Sequence, residues 1–517
     1  EMVLFPEKGA IFWELDVKRQ VKNQIRWSGE NEITVQEAQM RTFSNFAWMF
    51  MRTEGDYNFS TGSRGRGNLS SVANPYFLFP QIYNFRYNIY SSEWPVANRA
   101  IELYLQKKSE NEGWERQING LSNNEKANLL LEKHTFKELL ADVEQRNLQN
   151  NIVGLEASRI FARSEINMGV DAFRDSLYAM LKRNTFLNIK FENMLDTLGQ
   201  MSRTDIYSSL KEWEQLTPLP FYSIGEPELT KVVNKGGEEF FVLKGLGSNN
   251  SDYDGIIQMN VLQNGWWYQP LEDPRARKKV EIAAHTTKEF VSVWEEQIRE
   301  VEVNTMISGN LPYMIRQSIG NVKQERNKIV KDSIYTLPES SLEMPGEIIV
   351  DNEDSTLFVL STPPVVGLLP KWLDEVEETP FKYSGISWWR APLQWTATTN
   401  AKYYGKYIRS AYVIKSGDGS QTATWKIPVP EAGQYELYYY VFKNDELRWN
   451  DRLQGEYHFR VAYDSEVEDA YINLRKANEG WEQLGTYYFS ADTVRVVLTD
   501  ECKLRSVTAD AVKIVKR

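Results

Sequence analysis

Apolar residues recur at helical intervals through much of the first part of the chain. Between residues 92 and 213, leucine and valine return every three or four positions, which places apolar side chains on one face of an α-helix. The pattern predicts helices over about 35–51, 151–163 and 170–182. Residues 1–215 are therefore predicted to form a mainly helical domain.

Two helix starts carry the spacing of a capping box, in which a hydroxyl residue precedes a glutamate by three positions. Thr34 precedes Glu37, and Ser122 precedes Glu125. In this arrangement the hydroxyl and the carboxylate each accept a backbone N–H that the first helical turn leaves free. We expect helices to begin directly after Thr34 and Ser122.

The period of the pattern changes towards two in the middle of the chain. Apolar runs flank Asn234-Lys235-Gly236-Gly237, and another pair is joined by Asn264-Gly265, which favours a type I′ hairpin turn. We expect a small antiparallel sheet here, then helices over 286–303 and within 308–331. Residues 216–335 are thus predicted to be an α+β domain with antiparallel hairpins and helices.

Short β-type runs separated by turn residues follow a linker rich in Pro and Ser. They predict a C-terminal β-sandwich of jelly-roll type over 346–517. The predicted fold class is a multidomain α+β protein: a mainly helical N-terminal region with a small antiparallel sheet, followed by a β-sandwich. The runs span residues 347–350, 422–427, 435–442, 457–463, 469–474, 485–489, 493–498 and 509–515.

Composition narrows the classes of partner. The net charge of −11 argues against nucleic acid, which is bound through an excess of Lys and Arg. No apolar run reaches the 18 residues needed to span a bilayer, so no transmembrane segment is expected, and a membrane complex or anchor would lie outside these residues. The chain begins at Glu1, which is consistent with a processed or truncated start.

Motifs for metal, cofactor or catalytic chemistry are not found in the sequence. The single cysteine, Cys502, forms neither an intrachain disulfide nor a cysteine metal site. The three histidines His134, His285 and His458 are scattered along the chain. Residues 250–255 resemble a calcium loop, but Val261 replaces the expected Glu, which favours a polar turn. We predict no cofactor, no metal and no catalytic residue, although a carboxylate pair from distant segments stays open.

Four separated motifs in the C-terminal region resemble the golvesin and xanthan-lyase type C-terminal domain. The resemblance extends over about residues 347–517 and implies a β-sandwich often classed as carbohydrate-binding-like, found on secreted or envelope proteins of bacteria. The N-terminal region shows no such resemblance. The motifs are Ala432-Gly433-Gln434-Tyr435-Glu436-Leu437-Tyr438, Tyr457-His458-Phe459-Arg460-Val461, Gly480-Trp481-Glu482-Gln483-Leu484-Gly485-Thr486-Tyr487-Tyr488-Phe489 and Ala509-Asp510-Ala511-Val512.

Aromatic residues make up 13% of the chain, and a dense group precedes the first of these motifs. Flat rings exposed on a loop or sheet face stack on sugars, so we predict a ligand site here. The alternatives are that these rings cover the sandwich or dock it on the helical part. Strand alternation is instead expected to turn Trp481, Leu484, Tyr488, Phe489 and Val512 into the core. The predicted ligand-binding residues are Trp388, Trp389, Trp395, Tyr403, Tyr404 and Tyr407.

These expectations describe a non-catalytic bacterial envelope or surface protein that binds polysaccharide or a protein partner through an aromatic-rich β-sandwich. It would lie in the periplasm or on the cell surface. The alternative is a polysaccharide-degrading lyase or hydrolase with an appended binding module. Turnover of a polymer distinguishes the two classes.

Overall fold

The chain folds into two compact units. The computed structural model describes residues 18–26, 33–51, 88–91, 93–94, 96–105, 112–142, 144–184, 187–216, 218–262, 273–320, 322–326, 330–338, 346–361, 381–386, 391–443, 455–464 and 466–517. The first unit comprises Glu1–Glu110, Ala127–Pro218 and Arg277–Lys279, and the second comprises Asn111–Lys126, Leu219–Ala276 and Val280–Arg517. The division into 1–215, 216–335 and 346–517 stays a prediction.

Helices dominate the described residues up to position 216, as the apolar spacing predicted. The helices expected over 35–51, 151–163 and 170–182 are confirmed. The helices are α1 (18–26), α2 (Val35–Met51), α3 (Ala97–Leu105), α4 (Glu112–Asn119), α5 (Asn123–Leu131), α6 (Phe136–Ala141), α7 (Gln149–Met168), α8 (Val170–Arg183), α9 (Phe191–Ser202) and α10 (Ile206–Lys211).

The helix starts agree with the capping spacing. The backbone N–H of Glu125 donates to Ser122 Oγ over 3.2 Å, and the backbone N–H of Ser122 donates to Glu125 Oε2 over 2.7 Å, which completes a capping box before α5. At α2 the N–H of Glu37 donates to Thr34 Oγ1 over 3.1 Å. Both predicted helix starts are confirmed.

Aromatic packing and a buried charge cluster hold the first unit together. Trp213 is fully buried, with its ring 4.4 Å from Phe136 and 5.1 Å from Trp94. Glu165, 1% exposed, accepts a 2.7 Å bond from Tyr104 Oη and pairs with Lys279. A buried carboxylate needs such partners, because leaving it alone in a low-dielectric interior costs several kcal/mol.

Two short strands lie in the helical part of the chain, and strands dominate from residue 222 onwards. They are β1 (Asn88–Tyr90), β2 (Asn188–Lys190), β3 (Tyr222–Ile224), β4 (Glu228–Val233), β5 (Glu239–Asn249), β6 (Gly255–Leu262), β7 (Arg277–Ile282), β8 (Thr286–Trp294), β9 (Glu300–Asn304), β10 (Met314–Ser318), β11 (Val322–Arg326), β12 (Ser333–Pro338), β13 (Glu347–Val350), β14 (Phe358–Leu360), β15 (Thr396–Thr399), β16 (Ser410–Lys415), β17 (Thr422–Pro428), β18 (Gly433–Val441), β19 (Glu456–Tyr463), β20 (Glu466–Asn473), β21 (Gly480–Phe489), β22 (Thr493–Thr499), β23 (Ser506–Ala509) and β24 (Val512–Lys516).

The middle of the chain forms two sheets. The single small antiparallel sheet that the sequence predicted is therefore not confirmed. One has the order β10-β9-β6-β7, and the other the order β11-β4-β5-β8-β12 with β3 on β5. The hairpin around Asn234 is confirmed, because β4 and β5 pair antiparallel across it. Asn264-Gly265 lies outside the described residues.

The helices predicted over 286–303 and within 308–331 were wrong. The first segment forms β8 and β9, and the second contributes β10 and β11. Thr286 and Glu289 have capping-box spacing, but the residues that follow are Phe, Val and Trp, which favour a pleated and half-buried surface. Phe290 and Trp294 enter the core of this region.

The C-terminal region is a β-sandwich. Sheets ordered β13-β24-β18-β21 and β14-β17-β22-β19-β20 turn their inner faces onto one hydrophobic core. Trp425 of one sheet and Tyr439 of the other are fully buried, with ring centroids 6.1 Å apart. A third sheet has the order β15-β16-β23. The strand predictions hold except that the run at 509–515 is interrupted between β23 and β24, and β14, β15 and β16 were not predicted.

Candidate functional site

The predicted ligand residues do not share one environment. Trp388 and Trp389 lie outside the described residues. Trp395 is half-buried and packs against the sandwich core, where its indole N–H has no acceptor in the described part of the chain. Tyr403 is 5% exposed, and its ring lies 4.7 Å from Phe442. Tyr403 therefore packs as an interior residue, and burial raises the pKa of its hydroxyl.

Tyr407 docks the segment at residues 400–409 onto the middle part of the second unit. Its ring centroid lies 5.5 Å from that of Phe221, and its carbonyl oxygen accepts a 3.1 Å bond from the N–H of Leu311. The N–H of Arg409 in turn donates to the carbonyl of Leu311 over 2.6 Å. The alternative of docking on the helical part stays a prediction, since the contacts of Tyr407 are with Phe221 and Leu311, which lie outside the helices.

Tyr404 forms an aromatic cluster with two strand residues. Its ring centroid lies 5.4 Å from Tyr440 and 5.0 Å from Trp481, and those two rings are 5.1 Å apart. All three residues are half-buried. We call Tyr404, Tyr440 and Trp481 the aromatic platform.

The register of β18 and β21 brings two of these rings together. Tyr440 pairs with Trp481, while Tyr435, Leu437 and Tyr439 point into the core. Residues on one strand alternate between faces, so Tyr440 lies on the outer face. The even-numbered positions of β18 begin with the polar residues Gln434 and Glu436. These residues are the sequence signal that could have identified the outer face.

The expectation that Trp481 fills the core was wrong. Trp481 lies opposite outward-facing Tyr440 and is not part of the hydrophobic core. Tyr488, expected inside as well, is 61% exposed. Phe489 and Val512 are fully buried as predicted. The β-bulge between Leu437 and Tyr438 shifts the register against β21, so simple counting along that strand misplaces its outward residues.

Buried charges fix the loop that carries Tyr404. Its N–H donates to both carboxylate oxygens of Asp510 over 3.2 Å, and Asp510 is fully buried. Arg409 donates from Nη1 to the carbonyl of Ala401 over 2.9 Å. Gly405 has φ of 154°, and a Cβ there would lie 1.8 Å from the carbonyl oxygen of Ile408, so this turn needs glycine. Tyr404 therefore stands on a loop with little freedom.

The carboxyl groups behind the platform have shifted acidities. Burial raises the pKa of Asp510 well above its usual range, and the charge of Asp351 raises it further. Burial also raises the pKa of Asp351 to about 8, opposed by the N–H of Asn352. A carboxyl taken out of water favours its neutral form, which is the common cause of both shifts. Glu353 accepts a hydrogen bond from Tyr383 Oη over 3.1 Å and pairs with Lys382 at 2.6 Å.

Ion pairs surround the platform on the outer face of its sheet. The ammonium of Lys513 lies 4.8 Å from the Trp481 ring centroid and 2.9 Å from Glu347. Lys402 pairs with Glu479 at 3.1 Å, and each is two positions from a platform residue. One further pair lies along the same face, Arg517 with Glu436 at 3.0 Å. Lys516 pairs with Glu431 at 2.6 Å at the level of Tyr435, away from the platform.

Within the described residues, no group of three or more His, Cys, Asp or Glu side chains is placed to hold a metal ion. The stretch at 250–255 is a turn in which Asn249 Nδ2 donates to the carbonyl of Tyr253 over 2.7 Å. None of the described helices is both long and apolar enough to cross a membrane.

The C-terminal region is an antiparallel β-sandwich with an aromatic outer face. Residues 389–516 match the family model of the Golvesin C-terminal domain, about a quarter of the chain. This region therefore carries a golvesin C-terminal domain, which confirms the resemblance seen in its motifs. No curated protein matches the chain.

Three solved structures match parts of the chain at low similarity. The xanthan lyase of Paenibacillus is 16% identical with a TM-score of 0.24, and the match covers 58% of this chain and 27% of that one. CBM35 from Cellvibrio japonicus Abf62 is 11% identical with a TM-score of 0.17, covering 25% of this chain and 90% of that one. Exo-β-1,3-galactanase from Phanerochaete chrysosporium, determined with galactose, is 5% identical with a TM-score of 0.19, covering 57% and 69%. The chain thus spans about a quarter of the length of the lyase.

Proposed function

We propose that this chain is a non-catalytic bacterial envelope or surface protein that binds polysaccharide through the aromatic platform. The observation that carries the proposal is the set of three half-buried rings on the outer face of the sandwich sheet, within 5.0–5.4 Å of one another. Aromatic rings offer apolar faces on which the C–H faces of sugars stack, and platform rings held in place lose little entropy on binding.

The surroundings of Tyr404 favour a prepared site. Its backbone is held by buried Asp510, and its loop is fixed to the strands around Leu311. Binding through a preformed surface avoids the cost of ordering a loop at the moment of association. Of the six residues predicted from sequence, Tyr404 becomes the central contact. Trp388, Trp389 and Trp395 remain proposed contributors, and Tyr403 and Tyr407 act through the packing of the segment.

The wider setting is part of the same proposal. We assign the protein to the periplasm or the cell surface, with the sandwich connected in jelly-roll fashion and the helical domain serving as an assembly surface for an envelope partner. The proposal includes no nucleic-acid partner, because a net charge of −11 disfavours binding to phosphates. A family domain of this type in a chain with an unrelated helical region is consistent with a binding module joined to an assembly module.

The test is binding of the intact chain to a panel of bacterial and plant polysaccharides. Trp481→Ala should weaken binding to the polymer that the wild type selects by about tenfold or more, because one stacked aromatic contact is worth about 1–3 kcal/mol. Tyr488→Ala is the matched control, since Tyr488 is an exposed aromatic on the same strand. Its affinity should equal that of the wild type.

Two results would overturn the proposal. Equal losses for Trp481→Ala and Tyr488→Ala would show that the platform is not the binding surface. Shortening of any polymer during incubation, detected by reducing ends or by absorbance of unsaturated products, would instead support the rival class, a polysaccharide-degrading enzyme with an appended binding module.

A further inference from the structure

Three cations around the aromatic platform are each paired with a glutamate. Lys402, Lys513 and Arg517 each lie 2.9–3.1 Å from the carboxylate of their partner. A cation whose carboxylate partner is already in place gains little from a second anion, because the second anion must compete with the first. This face therefore differs from an anion-binding surface, which presents guanidinium or ammonium groups to the ligand.

Two cations on the loop that carries Tyr404 have other contacts. Lys406 places its ammonium 5.4 Å from the ring centroid of Tyr407. Arg409 donates to the carbonyl of Ala401, and its guanidinium interacts electrostatically with Glu226 and Asp510. Burial lowers the pKa of its guanidinium. Because Arg409 supports the loop from within, it is poorly placed to pair with a carboxylate on a sugar.

From this balance we infer that the platform takes an uncharged polysaccharide and discriminates against polymers that carry uronic acids. The inference rests on the proposed function and specifies its ligand class. A neutral pyranose offers C–H faces for the three rings and hydroxyl groups for the paired charges at the rim. A uronate would bring an extra negative charge to a surface on which Lys402, Lys513 and Arg517 already pair with glutamates, on a chain of net charge −11.

The rim pair of Lys402 and Glu479 provides a way to change this selectivity. Both side chains are substantially exposed, at 50% and 42%, so removing the carboxylate leaves an accessible ammonium beside Tyr404. Glu479→Gln should therefore raise the affinity for a uronate polymer about two- to fivefold, the range expected of one exposed ion pair. Binding to a neutral polymer should stay as in the wild type.

Glu431→Gln is the matched control. It changes the net charge by the same amount and frees Lys516, which lies opposite Tyr435 rather than Tyr440. Five strand positions separate the two sites, about 17 Å, which exceeds the screening length of about 8 Å at physiological salt. This variant should leave both affinities unchanged if the effect is local to the platform.

The experiment uses the intact chain and pairs of oligosaccharides with one linkage and different charge. Suitable pairs are cellohexaose with a β-1,4-glucuronan hexamer, and mannohexaose with a β-1,4-mannuronan hexamer, titrated calorimetrically at physiological salt. We expect the wild type to bind the neutral oligosaccharide of a pair more tightly than the uronate. Glu479→Gln should reduce this difference in affinity, and Glu431→Gln should leave it unchanged.

Three outcomes would overturn the inference in distinguishable ways. Preference of the wild type for a uronate member would reject the ligand class while leaving polysaccharide binding in place. Equal shifts in the two glutamine variants would show that bulk charge, not the rim pair, governs selectivity. Failure of the wild type to bind any member or any polymer in the wider panel would reject the proposed function together with the inference.

Discussion

Tyrosines lie on both faces of one sandwich sheet, but they have different roles on the two faces. On β18, Tyr435 and Tyr439 are buried in the core, and their hydroxyls donate to the backbone carbonyls of Glu431 and Thr508. Tyr438 and Tyr440 lie on the outer face, where Tyr438 donates to the Glu436 carboxylate over 2.6 Å. The hydroxyls of the two inner tyrosines thus donate to backbone carbonyls, whereas that of the outer Tyr438 donates to a charged side chain.

This difference separates stability from recognition within a single strand. An inner ring contributes by filling the core, while an outer ring leaves part of its face available. Because Tyr439 and Tyr440 are neighbours in sequence, they have nearly the same chain context. They therefore allow the two roles to be compared with little else changed.

The largest effect is expected for Tyr439→Ala. Removing this fully buried ring leaves a cavity and the carbonyl of Thr508 without its donor. We expect a loss of about 3–5 kcal/mol in the free energy of unfolding, the range for large aromatic truncations. Urea denaturation followed by far-UV circular dichroism measures it. A loss below about 1 kcal/mol would contradict the assignment of Tyr439 to the core.

A smaller and different effect is expected for Tyr440→Ala. Loss of this platform ring should weaken polysaccharide binding about tenfold, which corresponds to one stacked contact. The free energy of unfolding should change by less than about 1 kcal/mol, because the residue is half-buried and outside the core. If Tyr440→Ala instead unfolds the protein as Tyr439→Ala does, the division between the faces is wrong.

The smallest effect is expected for pH, through the acids behind the platform. Asp351 has a pKa raised to about 8, so the folded chain holds a proton that the unfolded chain releases above about pH 4. Stability should therefore fall as pH rises from about 4 to about 8 and level off above that. Partial exposure of the residue limits the size of the change.

Asp351→Asn tests this assignment. The amide carries no titrating proton, so the slope of unfolding free energy against pH between 5 and 8 should be shallower than in the wild type. Asp510 also has a raised pKa and should leave a residual slope of the same sign. Identical slopes in the two proteins would show that Asp351 does not contribute.

The sequence patterns predicted the helices and strands better than they predicted which face of each strand is buried. Local chemistry defines the start of α5, because Ser122 and Glu125 satisfy each other's backbone N–H groups within three residues. The same spacing at Thr286 misled, since the strand β8 is stabilised by pairing with β5 and β12, which are distant in sequence. Long-range pairing overrides a local preference of about 1 kcal/mol.

The sequence identified only part of the candidate site, because the rest also depends on pairing between strands that are distant in sequence. Tyr404 belongs to an aromatic-rich stretch that composition picks out, but its partners Tyr440 and Trp481 lie on strands whose register joins them. The bulge after Leu437 is not encoded by any motif that we recognise, and it decides which residues of β21 face outward. Membership of a cluster drawn from three segments depends on tertiary packing.

The docking of Tyr407 on Phe221, with backbone bonds between Leu311 and the segment at 400–409, has a consequence for dissecting this protein. A fragment of residues 346–517 would keep the sandwich core, including Val350 and Phe358, and would still fold as β-structure. It would, however, leave behind the scaffold that holds Tyr404 in place. Such a fragment would be a sound reagent for crystallising the sandwich and a poor surrogate for its affinity, so screening campaigns should start from residue 219 or earlier.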